Sequence, residues 1–449
     1  MNPFIFKEYD IRGVYEKDLT EDVVRDLGRA VGSYLSRYHA VNVSVGRDCR
    51  LSSPAMAGRI VEALAGSGLH VTDLGTVPSP VFYYSLFHLD ADGGAMVTAS
   101  HNPAEYNGMK VAMGKSTIYG DEIQELCRMI KRGEFVSGRG SVKHADVVTP
   151  YIEHCAGNIK PGPRKIKVVV DAGNGTGGVI ALPIMQKLGF DVVPLFIEMD
   201  GRFPNHHPDP TVPKNLEKLI STVKDTKADL GISYDGDADR LGVVDEKGGI
   251  IWGDQLMIVF SRAILAEKPG AKFIAEVKCS KTLYEDIPKH GGQAIMWRTG
   301  HSLIKAKMKE EHADLAGEMS GHIFFAHRYF GYDDAIYSSL RLLEILSKTD
   351  KTMSDLLSDV PPTHSTPEIR MDCPDETKFK VVEKLVSHFK GAGYNVVDVD
   401  GARVTFPDGW GLVRASNTQP VLVLRFEADT EPRLRDIRSL IMEKLRELM

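Results

Sequence analysis

Three aspartates at alternating positions stand out as groups that could hold a metal ion. Asp235, Asp237 and Asp239 lie in 233-SYDGDADRLGVVDEKG-248, and Arg240 follows them directly. In an extended or looping backbone, alternating residues present their side chains on one side. Proteins hold Mg²⁺ beside a phosphate with carboxylates that leave other coordination positions of the ion open. The spacing therefore favours a magnesium site, with Arg240 as a fixed cation next to it.

Two other interpretations of this stretch stay open, a calcium loop and an ordinary solvated acidic turn. Counted from Asp235, acidic residues fall at positions 1, 3, 5 and 12 as in an EF-hand, and Glu246 stands at position 12. An EF-hand needs Gly at its position 6 for the sharp turn, whereas this chain has Arg240 there. The flanking runs 228–234 and 241–244 also predict strands, where an EF-hand has helices.

A serine at the end of an apolar run is a candidate phosphoryl carrier. Ser100 lies in 95-AMVTASHNPAEYNGMK-110, and the Asn, Pro and Gly residues beyond it predict a loop. The adjacent His101 suggests a hydrolase, but neighbours on an extended strand point to opposite faces, so we expect it to be poorly placed as the base. The surroundings also lack the G-x-S-x-G elbow. A hydroxyl that only stabilises a turn is the alternative.

Together, the serine and the metal loop indicate phosphoryl transfer, because a cation and basic side chains stabilise the transferring charge. Two further loops suit a sugar phosphate. In 414-RASNTQPVLVLR-425 the hydrogen-bond donors are Arg414, Ser416, Asn417, Thr418 and Arg425. Guanidinium can bind two phosphate oxygens at once, although an ordinary polar turn remains the alternative. In 316-AGEMSGHIFF-325, Glu318 and Ser320 could contact sugar hydroxyls beside His322.

The elements that must position these loops follow a repeated pattern. A short β-branched run, a polar turn and a helical pattern occur three times, at 41–68, 166–190 and 273–292. Such units predict parallel sheets with crossover helices, and therefore three related α/β domains in series. We expect α/β domains at 1–146 with the serine loop, 147–249 with the metal loop and 250–362 with the sugar loop.

The last part of the chain, 363–449, predicts a different module. After the Pro-rich stretch 359–367, a helical pattern begins near Lys378 and runs to 393. Strands are predicted at 395–401, 403–406, 411–416 and 421–428, followed by a closing amphipathic helix at 431–448. Several strands without intervening helices indicate an α+β domain. The donors at 414–425 would make it the phosphate-binding domain.

Composition excludes several classes of protein. The chain has 449 residues, 43% hydrophobic content and a net charge of −6, which suits several globular cores and argues against nucleic-acid binding through the whole surface. Its five cysteines form no CxxC pair, which argues against a disulfide framework or a cysteine zinc site. We see no signal peptide and no membrane-spanning run, so a soluble cytoplasmic protein is expected.

Four motifs, taken in order, resemble the α-D-phosphohexomutase superfamily and most closely its bacterial phosphomannomutase/phosphoglucomutase group. They are TASHNP (98–103), DGDADR (235–240), GEMSGH (317–322) and RASNTQP (414–420). Supporting matches are KEYDIRG (7–13), GRDCRLSSP (46–54), DAGNGTGG (171–178) and RTGHSLIK (298–305). The resemblance implies a heart-shaped enzyme in which three α/β domains with mixed or parallel sheets and a C-terminal α+β domain surround a central cleft.

The resemblance also implies a role for each matching residue. Ser100 would be the phosphorylated serine, and its phosphate would bind Mg²⁺ together with Asp235, Asp237 and Asp239. The residues expected to act in catalysis are Ser100, His101, Lys110, Arg12, Arg240 and His301, with Arg12, Lys110 and His301 handling protons or stabilising phosphate. The residues expected to bind substrate are Tyr9, Lys278, Glu318, Ser320, His322, Arg414, Ser416, Asn417, Thr418 and Arg425.

The reaction implied is transfer of a phosphoryl group between O1 and O6 of one hexose through a hexose 1,6-bisphosphate. Mannose and glucose phosphates are expected as substrates, Mg²⁺ as cofactor, and glucose or mannose 1,6-bisphosphate as activator. We expect sugar phosphates as partners, no nucleic acid and no membrane, and a monomer or homodimer.

Two sequence departures and two alternatives accompany this interpretation. Ala238 stands where Gly is frequent in relatives and Gln419 stands where the family varies, but neither supplies or removes a ligand. Glucosamine-specific relatives differ from this chain at Met319 and in 416–418, so phosphoglucosamine mutase is the alternative enzyme. A calcium-binding or sugar-phosphate-binding protein without catalysis is the alternative outside enzymes.

Overall fold

The structure, a computed structural model, describes residues 1–417 and 419–449. These residues form two compact units. Unit 1 comprises Met1–Leu256 and Ser320–Leu356, and unit 2 comprises Met257–Met319 and Leu357–Met449. Short 3-10 turns lie at Pro3–Ile5, Pro213–Leu216 and Asp355–Leu357. None of the helices among the described residues has the length and apolar character needed to cross a bilayer.

A seven-stranded mixed sheet forms the first part of unit 1. Its strands are β1 (Ile11–Val14), β2 (Asn42–Arg47), β3 (His70–Thr76), β4 (Gly93–Val97), β5 (Tyr106–Met113), β6 (Ser116–Thr117) and β7 (Ser141–His144). The accompanying helices are α1 (Glu21–Arg37), α2 (Ser53–Gly66), α3 (Ser79–His88) and α4 (Asp121–Arg132). The strand order is β1-β5-β4-β2-β3-β7, with β6 beside β5. Strands β4, β2, β3 and β7 are parallel, whereas β5 runs antiparallel to β4 and β1.

The register of this sheet places two loops side by side. The predicted strand-turn-helix unit at 41–68 is confirmed by β2 and α2. Strands β2 and β4 are parallel neighbours, and Arg47 pairs with Val97. Because both strands end at the same edge of the sheet, the segments 48–50 and 98–100 leave it together.

A second, five-stranded sheet follows in unit 1. The elements here are α5 (Val148–Asn158), β8 (Lys167–Asp171), α6 (Gly178–Lys187), β9 (Asp191–Leu195), α7 (Glu217–Thr226), β10 (Leu230–Tyr234), β11 (Leu241–Asp245) and β12 (Ile250–Ile251). The strand order is β12-β11-β10-β8-β9. Strands β10 and β11 form an antiparallel hairpin in which Tyr234 pairs with Leu241. The predicted strands on both sides of the aspartate loop are therefore confirmed.

The third part of the chain again has parallel strands. Its elements are α8 (Gly253–Glu267), β13 (Lys272–Glu276), α9 (Lys281–Lys289), β14 (Gln293–Trp297), α10 (His301–Glu311) and β15 (Leu315–Gly317), followed in unit 1 by β16 (Ile323–Phe325) and α11 (Ala335–Ser347). In unit 2, β13 lies between β14 and β15 and is parallel to both. The loops that follow these three strands, which begin at 277, 298 and 318, therefore emerge at one edge.

The fourth part is an antiparallel sheet of unit 2 that two helices cover. Its elements are β17 (His364–Ser365), β18 (Ile369–Asp372), α12 (Asp375–Gly391), β19 (Asn395–Val397), β20 (Ala402–Phe406), β21 (Gly409–Ala415), β22 (Val421–Ala428) and α13 (Glu431–Leu448). The strand order is β17-β22-β21-β20-β19, and β18 also pairs with β22. This confirms the α+β prediction.

Two details of this module differ from the sequence prediction. Helix α12 begins at Asp375 rather than near Lys378, because Pro374 precedes it and acidic residues, which favour a helix N-terminus, fill its first turn. Strands β17 and β18 were not predicted. They are short, lie in and after the Pro-rich stretch, and only alternate residues of β18 are half-buried, so their pairing with β22 was not evident from their own sequence.

Candidate active site

Ser100 lies in a tight turn just after β4, in a segment that we call the serine loop (residues 98–106). Its backbone N–H donates to Thr98 Oγ1 at 2.9 Å, and its hydroxyl donates to Asp235 Oδ2 at 2.6 Å. The side chain is buried, and the backbone φ is +49°. Left-handed backbone is uncommon for a residue with a Cβ, so surrounding contacts must hold the serine loop in this conformation.

The expectation that His101 is poorly placed to reach the serine is wrong. The premise was an extended backbone, whereas the left-handed Ser100 turns the two side chains together, and Ser100 Oγ lies 3.1 Å from His101 Nδ1. Desolvation and the cations Arg240 and Arg12 hold the pKa of His101 well below its usual value. No carboxylate of the described residues bonds to its ring, and the serine proton points to Asp235, so a hydrolase triad is still not supported.

The three aspartates lie in the loop between β10 and β11, which we call the metal loop (residues 235–240). One ligand atom from each of Asp235, Asp237 and Asp239 falls within 4.8 Å of the others, and all three side chains are buried. Asp235 Oδ1 accepts the backbone N–H groups of Asp239 at 3.0 Å and Arg240 at 3.1 Å. The loop thus folds over its own first carboxylate, and the prediction that the three gather on one side is confirmed.

A second glycine-rich loop positions the metal loop by close packing. A Cβ on Gly175 would lie 2.7 Å from the Gly236 carbonyl oxygen, and one on Gly236 would lie 2.5 Å from the Ser100 carbonyl oxygen. Thr176 donates to the Gly236 carbonyl through its backbone N–H at 3.0 Å. The motif at 171–178 therefore acts as a spacer of minimal volume, which lets the metal loop approach the serine loop.

The donor set fits a hard divalent cation. Asp237 Oδ1 and Asp239 Oδ1 are buried and have no hydrogen-bond partner in the described part of the chain. Carboxylate oxygens are the ligands that Mg²⁺ and Ca²⁺ prefer. An EF-hand does not fit, because Glu246 lies beyond β11, about 17 Å along the hairpin from the metal loop at ~3.3 Å per residue. Its carboxylate instead accepts from Ser354 Oγ at 2.5 Å.

A lysine supplies a positive charge to the same carboxylates. Lys110 on β5 is buried, and its Nζ donates to Asp237 Oδ2 at 2.7 Å and also to Asp239 Oδ2. Burial favours the neutral amine, but these two carboxylates outweigh it and raise the pKa of Lys110 well above its usual value. Lys110 is therefore held as a cation.

The aspartates respond differently to this environment. Burial, together with repulsion from Asp239 and Asp237, raises the pKa of Asp235 well above its usual value. At Asp239, burial acts in the same direction but the Lys110 ammonium outweighs it, so the pKa is lowered. Crowded, desolvated carboxylates of this kind attract a cation strongly.

The N-terminus of α3 also faces the metal loop. Ser79, the first residue of α3, donates its hydroxyl to Asp237 Oδ2 at 2.6 Å and its backbone N–H to the Asp237 carbonyl at 2.9 Å. The partial positive charge of a helix N-terminus stabilises a nearby carboxylate. Sequence reasoning missed Ser79, because a Ser-Pro helix start carries no sign of its distant partner.

His322 contacts both the metal loop and a further carboxylate of unit 1. Arg240 Nε donates to His322 Nε2 at 3.0 Å. His322 Nδ1 lies 3.2 Å from Asp333 Oδ2 and 3.6 Å from Asp239 Oδ1. Because Nε2 accepts from a guanidinium, the ring proton belongs on Nδ1, toward the carboxylates.

Arg12 and Tyr9 come from the start of the chain. Arg12 on β1 donates to Asn102 Oδ1, in the serine loop, and to Asp10. Tyr9 is half-buried in the turn before β1. The structure thus joins Arg12 to the serine loop through Asn102, a contact that the sequence did not predict.

In unit 2, one buried glutamate joins the loops that follow three parallel strands. Glu276, the last residue of β13, accepts the Met319 N–H at 2.9 Å and the Thr299 hydroxyl at 2.5 Å. Lys278 Nζ lies 3.6 Å from it. Burial raises the pKa of Glu276, partly opposed by Lys278 and reinforced by Glu318. Sequence reasoning missed Glu276, which ends an apolar strand without a local motif.

The predicted sugar-binding glutamate belongs to this arrangement. Glu318 is buried, and its Oε1 accepts the Gly300 N–H at 2.7 Å. His301, directly after Gly300, is buried and begins α10. The structure therefore gathers Glu318, Lys278 and His301 at the loop edge of the unit 2 parallel sheet.

The predicted phosphate-binding stretch begins at Arg414, in β21, and ends at Arg425, in β22. Leu412 pairs with Arg425 and Arg414 pairs with Val423, so both arginines lie on the same face of the sheet. Arg414 Nε donates to Asp400 Oδ2 at 2.9 Å. Arg425 is buried, and its Nε and Nη1 have no hydrogen-bond partner among the described residues. Unmet guanidinium donors on a sheet face suit an anion.

The predicted site residues divide between the two units. Unit 1 holds Tyr9, Arg12, Ser100, His101, Lys110, Asp235, Asp237, Asp239, Arg240, Ser320 and His322. Unit 2 holds Lys278, His301, Glu318, Arg414, Ser416, Asn417 and Arg425. Thr418 lies outside the described residues. Within unit 1 the serine, the three aspartates and Lys110 form one connected cluster.

Comparison with known families accounts for nearly the whole chain. Residues 3–137, 149–249 and 252–364 match the alpha/beta/alpha domains I, II and III of phosphoglucomutase/phosphomannomutase, and residues 368–444 match its C-terminal domain. The chain belongs to the phosphoglucomutase/phosphomannomutase family. The resemblance to the α-D-phosphohexomutase superfamily that the motifs predicted is thereby confirmed.

Individual members of the family agree with this. A phosphomannomutase/phosphoglucomutase of Pseudomonas putida is 46% identical over 98% of this chain and 95% of its own. A phosphoglucomutase of Neisseria gonorrhoeae is 44% identical over 97% of this chain and 95% of its own. A crystal structure of a family protein from Burkholderia thailandensis matches with a TM-score of 0.94 at 44% identity, covering 100% of this chain and 98% of that one.

Proposed function

We propose that this chain is a phosphohexomutase that interconverts hexose 1-phosphate and hexose 6-phosphate, with Ser100 as the phosphoryl carrier. The observation that supports this most directly is the Ser100 hydroxyl, which lies 2.6 Å from Asp235 within a buried cluster of three carboxylates and Lys110. A phosphoserine at this position would meet a cation site and a fixed ammonium. The similar Pseudomonas and Neisseria proteins bear the names of such mutases.

The proposed reaction has two transfers. In the first, the bond between phosphorus and Ser100 Oγ breaks while phosphorus bonds to the free sugar hydroxyl, and the product is a hexose 1,6-bisphosphate. In the second, the bond between the other phosphorus and its sugar oxygen breaks while Ser100 Oγ bonds to that phosphorus, which restores the phosphoserine and leaves the isomeric hexose monophosphate. The proton lost by the sugar hydroxyl in the first transfer is matched by the proton that the released sugar oxygen gains in the second. Glucose or mannose 1,6-bisphosphate would accordingly restore enzyme that has lost its phosphoserine.

Asp235, Asp237 and Asp239 would hold Mg²⁺, which when bound neutralises phosphate charge. Lys110 is better suited to stabilise charge than to accept a proton, because its two carboxylate partners keep it cationic. Arg12 and His301 keep the proposed roles in proton handling and phosphate stabilisation, with Arg240 and His101 beside the serine. Glu318 and Ser320 would bind sugar hydroxyls.

The phosphate already on the sugar would bind Arg414, Ser416, Asn417, Thr418 and Arg425. This proposal is supported by the shared sheet face of Arg414 and Arg425 and by the unmet donors of Arg425. Lys278, His322 and Tyr9 are assigned to the substrate as well. The four-domain division at 146, 249 and 362, a cytoplasmic location and a monomeric or dimeric state stay predictions.

Mannose and glucose phosphates are the proposed substrates. Mannose and glucose have the same arrangement of O3 and O4 and differ only in the configuration of the carbon that carries O2. A site in which Glu318 and Ser320 contact O3 and O4 would therefore accept both sugars. Phosphoglucosamine mutase is the second candidate. Met319 and Ser416-Asn417-Thr418 favour the first, because they differ from the glucosamine-specific pattern.

The test is a coupled assay with Mg²⁺ and a trace of glucose 1,6-bisphosphate on mannose, glucose and glucosamine 1-phosphates. We expect comparable turnover of the first two and little of the third. Ser100→Ala should abolish turnover and the uptake of ³²P from labelled bisphosphate. In intact-mass analysis, this variant should also lack the phosphoserine adduct of about 80 Da. Ser85→Ala, which removes a buried hydroxyl from α3, is the control. Full activity of Ser100→Ala would refute the proposal.

A further inference from the structure

Arg50, which received no role from the sequence, holds the serine loop through the backbone carbonyls of that loop. Arg50 follows β2, and its side chain is completely buried. Nη2 donates to the carbonyls of Ser100 at 2.8 Å and Asn102 at 2.6 Å. Nη1 donates to the carbonyls of Pro103 at 2.6 Å and Tyr106 at 3.0 Å. One guanidinium thus collects four carbonyl oxygens from a single short loop.

The charge of Arg50 is balanced locally. Its Nε donates to Asp48 Oδ2 at 3.2 Å, and its backbone N–H donates to Asp48 Oδ1 at 3.0 Å. Asp48 Oδ1 also accepts the Ser53 hydroxyl at 2.5 Å. The carboxylate therefore fixes the plane of the guanidinium, and β2 and the start of α2 fix the carboxylate.

This arrangement explains how Ser100 keeps its unfavourable backbone conformation. The Ser100 carbonyl oxygen lies between Arg50 and the α-carbon of Gly236. A Cβ at residue 236 would lie only 2.5 Å from this oxygen. With its carbonyl held on one side, the Ser100 residue turns its hydroxyl to Asp235. Without Arg50, Ser100, whose φ is +49°, would relax toward negative φ, and its hydroxyl would move away from Asp235.

We infer that Arg50 is a positioning residue, which sets the phosphoryl-carrying oxygen of Ser100 against the metal loop through the four serine-loop carbonyls. The inference rests on the proposed function of Ser100. Arg50 has no part in binding the substrate, because its side chain is fully buried and its donors all serve the serine loop and Asp48. Its loss should therefore lower kcat and leave the KM for sugar phosphate nearly unchanged.

Lysine cannot take over this role. A guanidinium presents five N–H donors in a fixed plane, whereas an ammonium presents three donors from one atom. A lysine ammonium that also donates to Asp48 could donate to at most two of the four carbonyls. We expect Arg50→Lys to fold, because the charge and its partner remain, but to lower kcat by about a hundredfold, the typical effect of misplacing a reacting group by 1 Å.

The experiment measures kcat, KM and the rate of ³²P transfer to Ser100 in wild type, Arg50→Lys and Arg50→Ala. Arg164→Lys is the matched control, since Arg164 also donates to backbone carbonyls, those of Thr349 at 3.2 Å and Lys351 at 2.7 Å, but contacts no serine-loop residue. We expect the control to keep wild-type kcat. Adding millimolar guanidinium chloride should restore part of kcat to Arg50→Ala and none to Ser100→Ala.

The outcomes separate this inference from the proposed function. Wild type without mutase activity or without label on Ser100 would refute the proposed function. If wild type is active and Arg50→Lys keeps the wild-type kcat, the inference about Arg50 is overturned while the proposed function stands. The same holds if Arg50→Lys raises only the KM and leaves kcat constant. If Arg50→Ala does not fold, hydrogen exchange of 98–106 in Arg50→Lys decides, because unchanged protection of that loop would equally overturn the inference.

Discussion

Lys110 Nζ and Asp237 Oδ2 lie 2.7 Å apart, with both side chains almost completely buried. This ion pair stands within the carboxylate cluster that fits a divalent cation, so the lysine and the cation compensate the same negative charge. Removing one partner of a buried ion pair leaves an uncompensated charge and costs about 3–5 kcal/mol. The pair therefore links the stability of the protein to metal binding.

We predict that Lys110→Met lowers the free energy of unfolding by about 3–5 kcal/mol without Mg²⁺. Added Mg²⁺ should raise its melting temperature more than that of wild type, because the cation replaces the missing charge. Thermal unfolding with EDTA and with Mg²⁺ measures both effects. Lys115→Met, which removes a more exposed lysine paired with Asp90, should show the wild-type response to Mg²⁺, and an equal response of Lys110→Met would contradict the prediction.

Arg425 offers a test in which stability and binding change in opposite directions. Its Nε and Nη1 are buried without partners among the described residues. A buried, unmet guanidinium is unfavourable until an anion binds. We predict that Arg425→Met melts no lower than wild type in phosphate-free buffer, while its KM for glucose 1-phosphate rises about 10- to 100-fold through loss of charge-assisted hydrogen bonds.

Arg403 is the matched control for this change. The register places it on the same sheet face, opposite Leu412, and its Nη1 donates to the carbonyls of Val277 and Cys279. Arg403→Met should destabilise the protein by about 1–3 kcal/mol, because it leaves buried carbonyls unpaired. If Arg425→Met proves as unstable as Arg403→Met, the side chain of Arg425 has a structural partner and the argument is wrong.

The serine and metal loops were predictable because each combines reactive residue types with a strand that ends beside them. The partners that fix these loops were not. Arg50 and Ser100 are far apart in the sequence, and only the register of β2 against β4 brings them together. His101 was misjudged for a related reason, since the left-handed φ of Ser100 is imposed by distant contacts and not by the local sequence.

Glu276 should control the affinity for sugar phosphate, because it accepts hydrogen bonds from both neighbouring loops, at Met319 and Thr299. We predict that Glu276→Ala lowers kcat/KM at least tenfold, mainly through KM, since each lost buried hydrogen bond costs about 1–3 kcal/mol. Glu276→Gln should be milder, because its amide can bond to both groups. Steady-state kinetics check this prediction. Glu310→Ala, at a residue with an exposed side chain, is the control. Equal KM values in Glu276→Ala and Glu276→Gln would contradict the prediction.

Asp334 gives a prediction about pH. It is buried, accepts the hydroxyls of Tyr151 at 2.9 Å and Tyr329 at 2.8 Å, and accepts the Tyr337 N–H at 2.7 Å at the start of α11. Burial, opposed by these hydrogen bonds and assisted by Asp333, raises the pKa of Asp334 from 3.8 to about 6. Between these values the folded protein holds a proton that the unfolded chain has released, so stability falls as the pH rises through this window.

Asp334→Asn removes this titration and should keep the cap of α11, since its amide oxygen can still accept. We therefore predict that wild type gains stability relative to Asp334→Asn as the pH falls from about 7.5 to about 4, by at most about 3 kcal/mol. Urea unfolding across that range measures the difference. Asp90→Asn should show no such change across this range, because a hydrogen bond from Lys115 lowers the pKa of Asp90 from 3.8, so Asp90 stays ionised in the folded protein at these pH values. A difference for Asp334→Asn that does not change with pH would refute the prediction.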